Sequence, residues 1–289
     1  MNHLVVADSR AFADYLSSFE PNDQAPGRDR PAVALDIEGE FNLHQYGETL
    51  CLIQLFDGER AAIIDPFPLS NQELQTLFEH PRIEKIMYDA MSDQSLLFKG
   101  YGSRITSIVD LKPAVDLLEF EKRDLGSVLE AALGIRVEKK KKFQRYNWTR
   151  RPIEPDAIEY ALSDVLHLFA LRDVLFAELE RRGLTAEYTT RNRGVQEHQV
   201  DVNRAPRLLR SNEVKRMPRP VRARFEQIYD LRDRHARELN LPPDTVIVKA
   251  SLFALARGEQ KPEGLRPHVR VPRAAHSRLI AELSALLAE

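Results

Sequence analysis

The stretch Ala32-Val33-Ala34-Leu35-Asp36-Ile37-Glu38 constrains this chain more than any other. An apolar run of this length reads as a buried strand, and it ends in two carboxylates. Side chains on a strand alternate faces with period two, so Asp36 and Glu38 point to one side, roughly 6–7 Å apart. Two acids at the end of an apolar strand are costly unless positive charge sits between them. A metal ion would supply that charge. A solvated strand end that carries two acids by chance is the alternative, and the pair alone does not decide between them.

With 289 residues the chain has room for one large domain or two ordinary ones. No run of about 18 apolar residues is present, so no transmembrane helix is expected. Met1 to Asp8 lacks the basic start and long apolar core of a signal peptide, and a cytoplasmic, membrane-free protein is expected. Cys51 is the single cysteine, which excludes an internal disulfide and a cysteine-based zinc site. The formal charge of −2 conceals an uneven distribution. Residues 1–135 carry 11 Lys/Arg against 23 Asp/Glu, whereas 136–151 carry 8 against 1 and 203–237 carry 11 against 4. Two basic blocks on an acidic body suit local attraction of a polyanion.

Along the chain, a short helix is expected at Ser9 to Phe19, followed by a Pro/Asp/Gly-rich loop. The Asp36 strand, Thr49 to Phe56 and Arg60 to Asp65 read as a meander, with Asp57-Gly58 as a turn. Ser70 to Glu73 has capping-box spacing before the apolar positions Leu74, Leu77 and Phe78. Short strands are expected at Glu84 to Tyr88 and Ser107 to Leu111. Helices are expected at Ser92 to Lys99 (stopped by Gly100), Pro113 to Leu118, Asp124 to Leu133 (stopped by Gly134) and, as one long element, Pro155 to Arg182. This order predicts an α/β fold, a mixed sheet flanked by helices. A boundary near 194–204 leads to a small all-helical domain with helices at Arg219 to Asn240, Ser251 to Arg257 and Pro272 to Leu287. The division is therefore 1–200 and 201–289.

Two further acids are placed suggestively. Asp93 follows the strand Lys85-Ile86-Met87-Tyr88 and opens a helix. Asp164 stands one helical turn after Tyr160, on a face shared with Leu168, where a buried acid needs a partner. In order, Asp36-Ile-Glu38, Lys85-Ile-Met-Tyr-Asp-Ala-Met-Ser-Asp93 and Tyr160-Ala-Leu-Ser-Asp164 resemble the three motifs of the DEDD 3′–5′ exonucleases, tyrosine branch. Trp148-Thr-Arg-Arg-Pro152 and Leu50-Cys-Leu-Ile-Gln54-Leu resemble the ribonuclease D subgroup. The resemblance covers roughly residues 30–182. More loosely, Leu231 to Ala236 and Pro242 to Ile247 are similar to a single degenerate HRDC domain.

The resemblance implies an RNase H-like sheet and a metal-dependent 3′–5′ exoribonuclease that releases nucleoside monophosphates. Two divalent ions, Mg²⁺ or Mn²⁺, suit such chemistry because both prefer oxygen ligands and can stabilise the attacking and leaving oxygens. Asp36 would bridge both ions, Glu38 and Asp164 would complete the site of the attacking water, and Asp93 would hold the second ion. Tyr160, with an ordinary pKa near 10, would position the water more than deprotonate it. The departure is Tyr88, where relatives commonly have histidine. No organic cofactor is implied. The substrate implied is a single-stranded RNA 3′ end, with tRNA precursors among the options.

Asp89 and Asp110 also lie near strand ends but off the motifs, and read as structural. The segment from Lys139 to Arg151 interleaves basic residues with Phe143, Tyr146 and Trp148, so cations could meet phosphates and rings could stack on bases. Trp148 itself reads as a core residue under a charged run. Lys141, Lys142, Arg150 and Arg151 are the candidate RNA contacts, with His44 and Gln54 beside the acids, and Arg204 to Arg224 is a second basic stretch. An inactive exonuclease-like RNA scaffold and a DNA exonuclease of the same branch are the competing readings. The presence of all four acids and Tyr160 argues against the first, and the Trp148 to Pro152 segment against the second.

Overall fold

A computed structural model of the chain describes residues 3–19, 31–137 and 142–288. The chain divides into two compact units, Met1–Gly39 with Thr49–Val200, and Glu40–Glu48 with Asp201–Glu289. The Pro/Asp/Gly-rich loop and Lys141 lie outside the described residues.

The first unit runs β1 (His3–Val6), α1 (Ser9–Ser17), β2 (Ala32–Phe41), β3 (Glu48–Phe56), β4 (Ala61–Ile64), α2 (Asn71–Phe78), β5 (Glu84–Met87), α3 (Met91–Tyr101), β6 (Ile108–Asp110), α4 (Lys112–Leu117), α5 (Leu125–Leu133), α6 (Pro155–Ser163), α7 (Leu168–Arg181) and α8 (Thr185–Gln196). The six strands form one sheet in the order β1-β4-β3-β2-β5-β6. β3 and β4 pair antiparallel, while β1 with β4, β2 with β5 and β5 with β6 are parallel, so the sheet is mixed. β1 has no counterpart among the expected strands. It is a four-residue edge strand whose Leu4 and Val5 stay exposed, so it shows no period-two alternation.

Alternation along β2 sorts its side chains between two cores. Val33, Leu35 and Ile37 join α1, α2 and α3 on one face. Ala34 joins the layer built from α4 to α8 on the other. Asp36 and Glu38 share the parity of Ala34, so the strand turns both acids toward the α6 side. Full burial of Val33 and Leu35 stabilises the strand by about 1.5–3 kcal/mol each, which anchors the acids that follow them.

Three helix boundaries differ from expectation. The helix after β5 runs through Gly100 and stops at Gly102, whose φ of 65° is the left-handed conformation that glycine adopts without a Cβ penalty. The expected long helix is two helices. After Ser163 the chain tightens, with Val165 N–H donating to Leu162 O (3.1 Å) and Leu168 N–H to Val165 O (3.2 Å), before α7 resumes. No Gly or Pro marks this break in the sequence, and Asp164 caps the end of α6 instead of standing mid-helix. α8 was not expected, because Gly194 within it reads as a boundary. Its Asn192 and Gln196 bond the backbone of β6 and the residues before it, which ties α8 to the sheet edge.

In the second unit, α9 (Asn212–Lys215), α10 (Arg219–Leu239), α11 (Pro243–Val246), α12 (Lys249–Arg257) and α13 (Arg273–Ala288) enclose a core that includes Phe225, Ile228, Leu252 and Leu279. Buried Arg232 reaches Asp244 at 2.9 Å, and buried His235 meets Glu282 at 3.2 Å. The β2–β3 connection belongs to this unit: Tyr46 Oη donates to Asp233 Oδ2 at 2.8 Å and accepts from Arg237. Among the described residues, no helix is long and apolar enough to cross a membrane.

Candidate active site

β2 and the end of α6 bring three acids together. Asp36, Glu38 and Asp164 each offer a carboxylate oxygen, and these atoms all lie within 4.8 Å of one another. Burial, followed by the charges of Asp93, Asp164 and Glu38, drives the Asp36 pKa well above the carboxylate range. Burial, then Asp164 and Asp93, pushes Glu38 up to about 8. Carboxylates that resist ionisation beside each other are the signature of a site short of positive charge. Hard oxygen donors in a half-buried cluster fit a divalent cation of the Mg²⁺ or Mn²⁺ kind.

Asp93 stands outside the tight trio, on the first turn of α3, but its charge is felt by Asp36 and Glu38. Burial first, then Asp110 and Asp89, push it up to about 7, against the opposing hydrogen bond from Ser92. The turn that delivers α3 is built by Asp110. Its buried carboxylate accepts from the amides of Asp89 (2.9 Å), Ala90 (3.0 Å) and Lys112 (2.9 Å), and no side chain of the helix itself caps α3. Asp89 takes a positive φ of 63°, which a short polar side chain tolerates, and pairs with Lys112 at 3.7 Å. Tyr88, at the departure from the family pattern, donates its hydroxyl to Arg123 O at 2.6 Å.

Tyr160 lies on α6, four residues before Asp164. Burial and the charges of Asp164, Glu38 and Asp36 push its pKa up to about 12, so the phenol keeps its proton at neutral pH. Its ring packs between Phe143 (centroids 5.3 Å apart) and Trp148 (6.5 Å, 25° between planes). Both of those rings are buried, in accord with Trp148 as a core residue. A cavity of about 200 Å³ opens beside Tyr160 and Asp164, lined by Leu125, Gly126, Leu129, Val137, Gln144 and Ser163.

The other candidate contacts separate. Arg150 is exposed, and Lys142 reaches Asp156 at 3.5 Å across the surface. His44 belongs to the helical unit, where its carbonyl accepts from Arg270 at 2.7 Å. Gln54 is a correction: it is fully buried, because β3 runs between β4 and β2 with both faces covered, and it offers nothing to a solvent-borne strand. Arg151 is a second correction. Its Nε and Nη2 clasp Asp65 at 2.6 and 2.9 Å, Nη2 also donates to Cys51 O (2.6 Å), and Nη1 donates to Trp148 O (2.8 Å) and Arg150 O (2.9 Å). An arginine with every donor engaged inside the protein has none left for phosphate. Asp110 is structural, as its place near a strand end off the motifs suggests, whereas the role of Asp65 was missed from sequence, its local signal being an acid just before Pro66 at a strand end.

Comparison with known proteins places this geometry. Ribonuclease D of Escherichia coli is 28% identical over 234 residues, 78% of this chain and 60% of that protein. The chain spans 38% to 60% of the length of the ribonuclease D relatives from E. coli, Sphingobium indicum and Haemophilus influenzae. The E. coli RNase D crystal structure, described as an exoribonuclease involved in structured RNA processing, superposes with a TM-score of 0.74 at 25% identity, covering 100% of this chain and 75% of that one. The catalytic core of RRP6 from Trypanosoma brucei (TM-score 0.78, 18% identity, 99% and 79% covered) and Brucella melitensis NrnC with bound Mg²⁺ (0.52, 22%, 68% and 90%) share the fold. The profile of the 3′–5′ exonuclease family matches residues 7–180, a span that holds five of the six strands, all four acids and Tyr160, and the chain belongs to that family.

Proposed function

We propose that this chain is a metal-dependent 3′–5′ exoribonuclease that hydrolyses single-stranded RNA from its 3′ end. The observation that carries the reading is the convergence of Asp36, Glu38 and Asp164 beside the Tyr160 hydroxyl-bearing face of α6, within a member of the 3′–5′ exonuclease family. The likeness to ribonuclease D, described as an exoribonuclease, supports RNA as the substrate. Mg²⁺ in the fold neighbour NrnC supports a divalent ion at the acids.

Asp36, Glu38 and Asp164 would hold one ion, and Asp93, with Asp36, the second. Divalent ions held there supply Lewis-acid stabilisation of the attacking and leaving oxygens. The chain's own groups do the rest. Tyr160, protonated at neutral pH, acts as a hydrogen-bond donor that orients the water or the scissile phosphate rather than as a base. The cavity beside it, walled by Leu125, Leu129 and Val137 together with Gln144 and Ser163, offers a seat of mixed polarity for the terminal base. Lys142 and Arg150 lie at the surface on the segment leading to α6 and attract the phosphate backbone. Arg204, Arg207, Arg216, Arg219 and Arg222 are exposed on the helical unit, which would add a second, sequence-independent phosphate surface. Structured RNA tails such as tRNA precursors are the substrates such a surface suits.

The test is direct. With 5′-labelled single-stranded RNA and DNA of one sequence, Mg²⁺ or Mn²⁺ should give a ladder that shortens from the 3′ end of the RNA, and EDTA should stop it. Binding without products would instead favour an inactive RNA scaffold, and a faster ladder on DNA would favour a DNA exonuclease.

A further inference from the structure

We propose that Arg151 is a positioning residue for the cleavage step, which fixes the aromatic cradle of Tyr160 by locking the segment before α6 onto the sheet through Asp65. The inference rests on the exonuclease reading of the site. Arg151 ends the segment from Lys139 to Arg151 that reads in sequence as an RNA contact, but its guanidinium is engaged within the protein.

The five N–H groups of an arginine side chain meet five acceptors here: both Asp65 oxygens and the carbonyls of Cys51, Trp148 and Arg150. Three of these acceptors belong to the sheet side, the two oxygens of Asp65 directly after β4 and the carbonyl of Cys51 within β3. Two belong to the segment itself. One planar group therefore joins the sheet to the backbone of Trp148. Phe67 closes the arrangement, with the Arg151 guanidinium 4.4 Å from its ring centroid. Asp65 is committed to the pair. Burial opposes its charge, yet the Arg151 hydrogen bonds, the Phe67 amide and the guanidinium charge outweigh burial and hold its pKa below the usual carboxylate value.

The segment so anchored ends in the rings that touch Tyr160. The Trp148 ring is stacked on Tyr160 with 25° between their planes, and Phe143 packs on Tyr160 from the same segment. Tyr146 braces both, edge-on to Trp148 at 4.8 Å and to Phe143 at 5.8 Å, and its hydroxyl accepts from the Glu154 amide at the start of α6. A shift of the Trp148 backbone would pass to Tyr160 through packed rings, which transmit displacement because protein interiors are close-packed. Lysine cannot replace the clasp: it keeps the charge but offers three donors from one point, without the fork that spans a carboxylate.

The decisive measurement is a double-mutant cycle on RNA hydrolysis between Arg151→Lys and Tyr160→Phe. Arg151→Lys should lower kcat by about 10- to 100-fold, the range expected when a catalytic group is displaced by a fraction of an ångström to one ångström. KM and the salt dependence of RNA binding should stay unchanged. In the Tyr160→Phe background the same substitution should cost less than about twofold, because both changes act on one hydroxyl. A readout independent of activity is the emission of Trp148, the single tryptophan of the chain, which should shift to the red in Arg151→Lys as the cradle loosens. Should Arg151→Lys fail to fold, Asp65→Asn tests the same clasp from the other side with the same expected pattern.

Multiplicative effects of the two substitutions on kcat, or an unchanged kcat in Arg151→Lys, would overturn the proposal. A salt slope for RNA binding reduced by about 0.7 with raised KM would overturn it in a different way, by making Arg151 a phosphate contact. A wild-type protein that leaves both RNA and DNA intact with Mg²⁺ and Mn²⁺ would be the failure of the exonuclease reading itself, and would remove the step that Arg151 is said to serve.

Discussion

Asp36 and Asp164 present carboxylate oxygens within 4.8 Å of each other, one from the middle of the strand β2, which runs on to Phe41 past the end expected at Glu38, and one from the cap of a helix far along the chain. Like charges at that distance raise each other's pKa, and burial raises both the penalty and the shift. The fold keeps them together because neighbouring residues, Leu35 and Ile37 on β2 and Leu162 and Val165 around the helix end, are held in the two cores. The site is thus assembled against its own electrostatics.

That cost should be visible as a pH dependence of stability in EDTA. Glu38 titrates at about 8 when folded and near 4.5 when unfolded. Between those values the folded chain holds the proton and the unfolded chain does not, so stability falls as pH rises through the window, by at most about 1.4 kcal/mol per pH unit per group. Glu38→Gln removes this titration, and its melting temperature relative to wild type should climb from pH 5 to pH 8. Mg²⁺ should stabilise the wild type most at pH 8 and Glu38→Gln less. A melting-temperature difference that does not vary with pH would show that Glu38 is an ordinary solvated acid.

Asp36→Asn should abolish hydrolysis, by at least the 10²- to 10³-fold typical of losing one electrostatic stabiliser, with RNA affinity in EDTA retained. The asparagine keeps the shape of the side chain on β2 but removes the carboxylate on which the charges of Asp93, Asp164 and Glu38 all act. Gel-shift and ladder assays on the same preparation separate binding from turnover. Full hydrolysis in this variant would refute the mechanism.

Tyr160→Phe should slow turnover by about 10- to 100-fold, the value of one hydrogen bond to a charged partner, and leave the KM for RNA close to wild type. The rate should also show no loss of a basic group near neutral pH, because the phenol already holds its proton there. An unchanged rate would mean that Tyr160 serves only through the packing of its ring against Phe143 and Trp148.

The acids were legible as candidates because each sits in a local pattern: an alternating apolar strand, a strand-to-helix turn, and a helical i to i+4 spacing. The mixed sheet followed from the order of elements. What was not legible depends on tertiary partners. β1 is too short and too exposed to alternate, and only its pairing with β4 defines it. The break after Ser163 carries no glycine or proline. Arg151 reads as one more cation of a basic run, and its inward role needs Asp65, on another element, to be seen. Gln54 looks available in sequence, yet the central placement of β3 buries it completely.

Lys85 supplies the last prediction, one that concerns the fold rather than the reaction. It lies on β5 between Val33 and Ile108 as Cα partners, fully buried, and its ammonium nitrogen donates to His80 O at 2.6 Å. Burial alone pushes its pKa down to about 7. The unfolded lysine titrates near 10.4, so between about pH 7 and 10 the unfolded chain holds the extra proton and native stability rises with pH. Lys85→Met cannot titrate, and it also loses the bond to His80, an effect that does not vary with pH. The unfolding free energy of wild type minus that of Lys85→Met should therefore increase from pH 7 to pH 9, by up to about 1.4 kcal/mol per unit. Urea melts of both proteins at pH 7, 8 and 9 measure it. All other titrating groups cancel in the difference, so a flat line would mean that Lys85 stays protonated in the folded sheet, its charge satisfied by the carbonyl it meets.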